Sequence, residues 1–305
     1  MHGRNEWFFP KGDLARDGWQ TVVDADTPGW KHTGLRVAEL GAGDELTLPS
    51  EGLERILVPL AGSFSVIYTG IGPSETVRLD GRASVFDGPT DVLYLSSVAT
   101  ATITGLGRIA VAEARAENVF PTAYIARDDV PVELRGAGRS SRQVHNFGTP
   151  GALAADKLIV CEVITPAENW SSYPPHKHDE DLPGHESRLE EIYYFESAVS
   201  RGVDAPGTAD PFGYMRTYSS DAGEIDILAE VRTGDVGLVP FGWHGPCVAA
   251  PGYDLYYLNV MAGPGPERAW LISDDPAHGW IRQTWDGQEF DSRLPYNTPS
   301  EGTRA

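Results

Sequence analysis

The residues best suited to chemistry are grouped in the segment NWSSYPPHKHDEDLPGHESRLEEIYYF, which covers positions 169–195. His176 and His178 are separated by one residue. Successive side chains of a β-strand point to opposite faces, so both imidazoles would project to the same side and could bind one metal ion together. The run Tyr173-Pro174-Pro175 before them favours an extended backbone with few donors, which is typical of the mouth of a barrel.

Two further segments offer ligands for the same ion. Glu190 and Glu191 stand directly before the apolar run IYYF, and GDVGLVPFGWH brings His244 after a strand and a Pro-Gly turn. Alternation sends the two carboxylates to opposite faces, so only one of them can ligate. We favour Glu191, which shares a face with Tyr193 and Phe195, and keep Glu190 as the alternative. Three neutral imidazoles and one carboxylate suit a divalent first-row ion that acts as a Lewis acid.

Composition and charge restrict the class of protein. The chain has 305 residues, of which 41% are hydrophobic and 22% charged, as expected for a soluble globular protein of one or two domains. A formal net charge of −20 argues against nucleic acid or an anionic membrane as a partner. Any anionic substrate must therefore be held by locally placed Lys or Arg. No long apolar stretch or signal-peptide pattern is present, so we expect a cytoplasmic protein.

Cysteine usage adds little chemistry. Cys161 and Cys247 are the only cysteines, too few for a disulfide framework and wrongly spaced for a thiolate zinc site. We expect both side chains to be buried in the core.

The elements that must position the histidines are β-strands. Short runs rich in Val, Ile, Leu, Tyr and Phe recur along the chain between Gly, Pro and Asp, and no long segment has helical periodicity. The one candidate helix is DDPAHGWIRQTW, with Asp275 as N-cap and Pro276 at the first helical position. Many short strands with few helices predict a sandwich or a barrel, and the jelly roll is one of the closed forms.

The chain divides into two halves of similar size. Residues 114–146 are more charged and less strand-like than their flanks, which predicts domains at 1–125 and 126–305. Each half contains an apolar strand, a Gly and a further apolar strand, beginning at Glu54 in the first half and at Glu191 in the second. We interpret this pattern as a weak internal duplication that gives one barrel per half.

The motifs resemble those of a known family. The string HKH, a carboxylate before an apolar strand, and G-x5-P-x-G-x-H at Gly234 to His244 are similar to the two cupin motifs, with one residue fewer before the last histidine. The strings NWSSYPPHKHDED, LEEIYY, GDVGLVPFGWH and PGYDLYYLNVMAGP resemble the 5-deoxy-glucuronate isomerases, which are cupin enzymes of myo-inositol breakdown. In the first half, TPGWKHTGLRVAELGAGDEL and ERILVPLAGSFSV are similar to the same family, so the likeness covers nearly the whole chain.

The resemblance implies an all-β bicupin fold, with two jelly-roll barrels in tandem and few short helices. It implies a metal in the second barrel only, with zinc as the expected ion and manganese, iron or nickel as alternatives. The implied reaction converts the aldose 5-deoxy-glucuronate to the ketose 2-deoxy-5-keto-gluconate. A homo-oligomer is also expected by resemblance.

An aldose–ketose isomerase needs a base and a site for the substrate carboxylate. The sequence offers Glu190, Asp179, Lys177 and several tyrosines as bases without choosing among them, although Lys177 alternates away from the metal face. Arg216 is the first candidate for the carboxylate, because it falls in a strand-like segment with Tyr214 and Tyr218 on its own face. Arg142 is the second candidate.

The sequence departs from the family pattern after the second carboxylate. The family usually carries a histidine where Phe195 stands, and the following segment SAVSRGVDAPGTADPFG is longer and looser than usual. We expect this loop to line the site and to change what fits there. Three alternatives remain: an isomerase of another uronate of the 5-keto-4-deoxyuronate type, a metal-dependent oxygenase or decarboxylase, and a non-catalytic sugar-binding cupin.

Overall fold

The structure is a computed structural model that describes residues 5–297. Within that range the chain is almost entirely β, as its recurrent runs of β-branched and aromatic residues predict. The strands of the first half are β1 (Phe8–Phe9), β2 (Thr21–Val23), β3 (Thr33–Leu40), β4 (Glu45–Leu48), β5 (Leu53–Thr69), β6 (Glu75–Arg82), β7 (Val92–Leu95), β8 (Thr100–Arg115) and β9 (Ala123–Ile125). The strands of the second half are β10 (Val132–Arg135), β11 (Arg142–Gly148), β12 (Ile159–Thr165), β13 (Trp170–Ser171), β14 (His176–Lys177), β15 (Glu190–Val199), β16 (Gly213–Ser220), β17 (Gly223–Val231), β18 (Val236–Val239), β19 (Trp243–Ala249), β20 (Tyr253–Ala262) and β21 (Ser273–Asp274).

Helical structure in the described range is limited to short 3-10 turns at Val85–Asp87, Arg127–Asp129, Gly138–Ser140 and Gly279–Thr284. The helix predicted from Asp275 is therefore shorter than expected and begins four residues later. The reason is local: the side chain and carbonyl of Asp275 accept bonds from Ala277, His278 and Gly279, which closes a turn there.

The first barrel is an eight-stranded sheet with the main order β2-β3-β8-β5-β7-β9, in which β4 pairs with β8 and β6 with β5. Apolar side chains from alternate positions fill its interior, among them Leu57, Phe64, Leu79 and Ile103.

The second barrel is built from two facing sheets. One has the order β1-β18-β15-β20-β12-β11-β10, and the other β17-β16-β19-β14-β21, with β13 on β19. Alternation along β15 sends Tyr193 and Phe195 into the space between these sheets, while Ile192 and Tyr194 pack in a separate cluster against the first barrel. The larger sheet therefore separates the barrel interior from the contact between barrels.

The two halves share one strand order. The run β3-β8-β5-β7 in the first barrel corresponds to β12-β20-β15-β18 in the second, which supports the predicted duplication. One element departs from the predicted division at residue 125: β1, near the N-terminus, pairs with β18 and so completes the sheet of the second barrel. The domain bounds 1–125 and 126–305 stay a prediction.

Two carboxylates join the barrels in a reciprocal way. Glu190 at the start of β15 accepts hydrogen bonds from the backbone N–H groups of residues 31–33, which lead into β3 of the first barrel. Glu54 near the start of β5 accepts from the backbone N–H groups of residues 156–158, which lead into β12 of the second barrel, at 2.6–2.8 Å. Each barrel thus satisfies buried backbone donors of the other.

Candidate metal centre

Three histidines converge inside the second barrel. His176 in β14 lies directly opposite His244 in β19, and His178 follows β14 by one residue. The imidazole centroids of His176 and His178 lie 4.4 and 4.6 Å from that of His244, and all three rings are buried. One nitrogen from each ring falls within 4.8 Å of the others, a spacing that one metal ion can bridge.

Backbone carbonyls orient the three rings. The Nδ1 atom of each ring lies near a carbonyl oxygen, so a proton on Nδ1 can be donated to that carbonyl and the lone pair left on Nε2. These contacts are His178 to Leu189 at 3.1 Å, His244 to Gly242 at 2.9 Å and His176 to Pro174 at 3.4 Å. Nε2 of His244 is buried and has no hydrogen-bond partner within residues 5–297. A cluster of Nε2 lone pairs in the interior fits a bound cation.

Glu191 supplies the carboxylate of this cluster. Its Oε2 atom lies 3.0 Å from Nε2 of His178 and 3.2 Å from Nε2 of His244. Burial raises the pKa of Glu191, but its close contacts with the two imidazoles outweigh that effect and lower the pKa to about 2, so the carboxylate is ionised at neutral pH. The choice of Glu191 over Glu190 agrees with this geometry.

The pKa values of two imidazoles are shifted in opposite directions. Burial and the neighbouring rings of His244 and His178 hold the pKa of His176 well below its usual range, so this ring is neutral, as a ligand must be. Burial also lowers the pKa of His178, but its hydrogen bond with Glu191 outweighs burial and raises the pKa. The structure brings the four predicted ligands together, and metal binding by them stays a prediction.

Lys177 lies between two of the histidines and points away from them, as strand alternation predicts. Its ammonium group donates to Asp179 at 2.7 Å, Glu180 at 2.6 Å and Glu186 at 2.9 Å. The carboxylates of Asp179 and Glu186 are buried with it. This cluster anchors the short strand β14 from its outer side.

Asp179, a predicted catalytic residue, is fully engaged in that support. One oxygen binds Lys177, and the other accepts from the Ser220 hydroxyl at 2.5 Å and from the Gly242 N–H at 2.9 Å. Because Gly242 precedes His244, Asp179 ties the two histidine-bearing segments together. Its geometry suits positioning and not proton transfer.

Glu190, the other predicted acid or base, faces away from the histidines. Its carboxylate accepts the backbone N–H groups of residues 31–33 from the first barrel, with Thr33 at 2.7 Å. Strand alternation is the physical reason, because Glu191 on the same strand takes the inward face. The structure thus gives no support to Glu190 as the base.

Arg216, the first candidate for the substrate carboxylate, lies on the outer face of β16. Its guanidinium donates to Asp226 at 2.6 Å and to the carbonyl of Ile227 at 2.8 Å, and its side chain is one-third exposed. On the same strand Met215 and Thr217 are the inward residues, and Thr217 lies opposite His244. The face shared by Arg216 and the tyrosines is the solvent face, so this assignment does not fit.

The segment after Phe195 also lies elsewhere. Glu191 is near one end of β15 and the loop leaves from the other end, about 27 Å along an extended strand. Arg201 in this loop donates to the carbonyl of Phe86 at 2.5 Å and to Asp87 at 3.2 Å, so the loop packs on the first barrel. The expectation that it lines the site is wrong. Phe195 itself is buried and stacks on Tyr193, which neighbours His244.

Sequence reasoning missed a group of hydroxyls beside the histidines. The Ser172 hydroxyl lies 3.1 Å from the Tyr257 hydroxyl and 3.4 Å from the Tyr193 hydroxyl. The Tyr193 ring is 6.3 Å from that of His244. Burial raises the pKa of both tyrosines, so they keep their protons and can donate. Alternation already places Tyr193 on the face of Glu191, but only the fold brings Tyr257 and Ser172 to it.

The remaining sequence expectations concern cysteines and the membrane. Cys161 and Cys247 are both buried and unpaired, as expected. Across residues 5–297, the structure has no helix with the length and apolar character needed to span a bilayer.

The comparisons with known proteins agree with this architecture. Residues 8–281 match the KduI/IolB family. A 5-deoxy-glucuronate isomerase of Geobacillus kaustophilus is 39% identical over 279 residues, which cover 90% of this chain and 95% of that protein. The 5-deoxy-glucuronate isomerase of Bacillus subtilis strain 168 is 37% identical over 250 residues, covering 81% and 86% of the two chains.

Solved structures give the same result for the fold. The crystal structure of an IolB-like protein from Salmonella typhimurium LT2 superposes with a TM-score of 0.79 at 35% identity, covering 90% of this chain and 99% of that one. An oxalate decarboxylase from Lactobacillus farciminis superposes with a TM-score of 0.63 at 11% identity, covering 90% of each chain, which is a likeness of fold alone. The all-β bicupin prediction is confirmed. By sequence and by structure, the chain belongs to the KduI/IolB family.

Proposed function

We propose that this protein is a metal-dependent aldose–ketose isomerase that converts 5-deoxy-glucuronate to 2-deoxy-5-keto-gluconate in myo-inositol breakdown. The observation that carries the proposal is the convergence of His176, His178 and His244 with Glu191 in the interior of the second barrel. The reaction and substrate are supported by relatives that carry the name 5-deoxy-glucuronate isomerase at 36–42% identity.

The donor set fits a divalent cation. His176, His178, Glu191 and His244 would hold it through three neutral nitrogens and one carboxylate oxygen, with zinc as the proposed ion and manganese, iron or nickel as alternatives. When bound, such an ion supplies Lewis-acid stabilisation of the negative charge that develops on substrate oxygens during isomerisation.

The surrounding side chains prepare the site for a polyhydroxylated substrate. Tyr193, Tyr257 and Ser172 present hydroxyl groups next to the histidines, and the two tyrosines retain their protons. These groups can donate hydrogen bonds to substrate oxygens at positions where charge increases. The hydroxyl of Thr217 and the amide nitrogen of Asn259 are buried without hydrogen-bond partners inside the described range, and both lie on strands that border this interior. They are available to a substrate.

The experiment is incubation of the purified protein with 5-deoxy-glucuronate in D2O, followed by NMR. We expect formation of the ketose, together with solvent exchange at the carbon next to the carbonyl. Metal analysis of the same preparation should find about one divalent ion per chain. Oxygen consumption during turnover would indicate an oxygenase, and substrate that stays unchanged over hours would indicate a binding protein.

We also propose a cytoplasmic location, which the two unpaired cysteines support, because thiols are kept reduced there. Cell fractionation with an antibody to the protein tests it. The partners proposed are a small sugar acid and further copies of the same chain.

A further inference from the structure

Arg142 is a buried cation inside the second barrel. It lies at the start of β11, two residues before Val144, whose side chain belongs to the interior core of that barrel. Since side chains alternate along a strand, Arg142 points to the same interior. The residue is 8% exposed. Its guanidinium therefore lies in the compartment that also holds the histidine cluster.

The guanidinium has only uncharged partners. Nη1 donates to the carbonyl oxygens of Ser140 at 3.1 Å and Tyr173 at 3.5 Å, and the group lies 6.0 Å from the centre of the Trp285 ring. Within residues 5–297, three arginines are more than nine-tenths buried. The other two each bind a carboxylate: Arg55 binds Glu113, and Arg82 binds Glu162. Arg142 alone among these three lacks an anion.

The electrostatic surroundings of Arg142 do not compensate its charge. Burial lowers the pKa of Arg142 to about 10, and nearby Arg135 and Arg282 lower it, whereas Tyr257 and Glu133 oppose them. The group is still charged at neutral pH. Both neighbouring arginines are already neutralised, Arg282 by Asp274 at 2.6 Å and Arg135 by Glu133 at 2.8 Å. A buried charge without a counterion is unfavourable, so an incoming carboxylate would relieve it.

A series of neighbouring tyrosines relates Arg142 to the histidine cluster. Tyr173, whose carbonyl accepts from Arg142, lies three residues before His176. Tyr257 interacts electrostatically with Arg142, and its ring centroid is 5.3 Å from that of Tyr193, which in turn neighbours His244. Hydroxyl-bearing side chains thus neighbour both the guanidinium and the histidines.

We propose that Arg142 binds the carboxylate of the substrate and selects sugar acids over neutral sugars. The carbonyl end of the substrate would lie at the histidines, its hydroxyls on Tyr193, Tyr257 and Ser172, and its carboxylate on the guanidinium. This inference rests on the proposed function in one respect, that a sugar acid enters the second barrel. Guanidinium groups are well suited to this role because they bind carboxylates with two parallel hydrogen bonds.

The first test is kinetic. Arg142→Gln should lower kcat/KM for 5-deoxy-glucuronate by about 10- to 100-fold, the usual effect of losing a hydrogen bond to a charged group. The same variant should lose most of its discrimination against 5-deoxy-glucose, the neutral analogue, while its metal content stays at the wild-type level. Arg142→Lys should recover part of the discrimination. Arg216→Gln, on the solvent face, is the matched control and should leave these quantities unchanged.

The second test does not depend on turnover. D-glucuronate should raise the melting temperature of the wild-type protein and of Arg216→Gln but not that of Arg142→Gln, and D-glucose should stabilise none of them. Wild-type protein that fails to convert 5-deoxy-glucuronate, yet is stabilised by glucuronate through Arg142, would refute the proposed reaction and leave the carboxylate site standing. Unchanged discrimination and unchanged glucuronate stabilisation in Arg142→Gln would overturn the carboxylate site while the reaction stands. A lowered melting temperature with those two properties retained would assign Arg142 a structural role, which also overturns the proposal.

Discussion

At the scale of single residues, neighbouring positions on a strand have unrelated roles. Glu190 and Glu191 are adjacent and both buried, yet one caps backbone donors of the first barrel and the other contacts two imidazoles. The chemistry of a carboxylate therefore does not decide its role. The face on which it lies does.

The predicted metal ligands give the most direct prediction at this scale. His176→Ala and His244→Ala each remove one of three convergent nitrogens, so we expect loss of bound metal and of isomerase activity, with the first barrel still folded. Metal analysis and circular dichroism measure these outcomes. His185→Ala, in an exposed loop, is the control and should keep both metal and activity. A His176→Ala protein with full metal content would show that the ion lies elsewhere.

At the scale of elements, β14 carries His176 and leads directly into His178, and it is very short. It contains two residues. It pairs with β19 on one side and β21 on the other, and the Lys177 ion pairs support it from behind. Contacts behind a ligand-bearing segment set how rigidly the ligands are held.

Lys177→Met tests that support. The change leaves Asp179 and Glu186 buried together without a counterion, so we expect a loss of about 3 kcal/mol in the free energy of unfolding. Metal affinity should fall by about 10- to 100-fold, because the segment that carries His176 and His178 is released. Urea denaturation and metal titration against a chelator measure the two effects. Arg78→Met, which breaks an exposed pair with Asp80, should change stability by less than about 1 kcal/mol. Equal effects of the two variants would refute the supporting role.

The corresponding element of the first barrel carries different chemistry. In β5, Glu54 and Arg55 pair with Ala114 and Glu113, whereas in β15 Glu190 and Glu191 pair with Ala262 and Met261. Glu54 thus matches Glu190, and Arg55 stands at the position of Glu191. Arg55 forms a buried ion pair with Glu113 at 2.6 Å, so the ligand position of the second barrel is a salt bridge in the first.

At the scale of the whole molecule, the matched pair Glu54 and Glu190 holds the barrels together. Each carboxylate satisfies a run of three backbone donors that belong to the opposite barrel. This symmetry follows from the duplication, since equivalent residues meet equivalent loops across the interface.

Removing either cap should loosen the contact between barrels. Glu54→Ala and Glu190→Ala should each lower the free energy of unfolding by about 2–3 kcal/mol, because buried N–H groups lose their acceptor. Urea denaturation measures this, with Glu45→Ala on an exposed strand position as the control.

In kinetic assays, Glu190→Gln should keep kcat within about threefold of wild type, since a base would contribute about 10²- to 10⁴-fold. A loss of that size with unchanged stability would restore Glu190 as the base.

The assembly of the molecule stays a prediction at this scale. Light scattering after size-exclusion chromatography measures the mass directly, and a homo-oligomer is the expected result.

The sequence by itself determined the fold class, the family and which four side chains converge inside the second barrel. The family follows from the resemblance of its motifs. The convergent side chains follow from local patterns as well: alternation puts His176 with His178 and separates Glu191 from Glu190, and the Pro-Gly turn precedes His244. Such features depend only on which face of a strand each side chain takes, and a few consecutive residues show this.

Only the tertiary structure decided which other charged and hydroxyl groups reach the site. The sequence ranks Arg216 above Arg142 because its segment is the more strand-like, but Arg216 faces solvent and Arg142 the barrel interior. Tyr257 and Ser172 meet Tyr193 from distant positions in the chain. A strand pattern identifies two faces but not which of them the barrel encloses, because closure depends on contacts between strands that lie far apart in sequence.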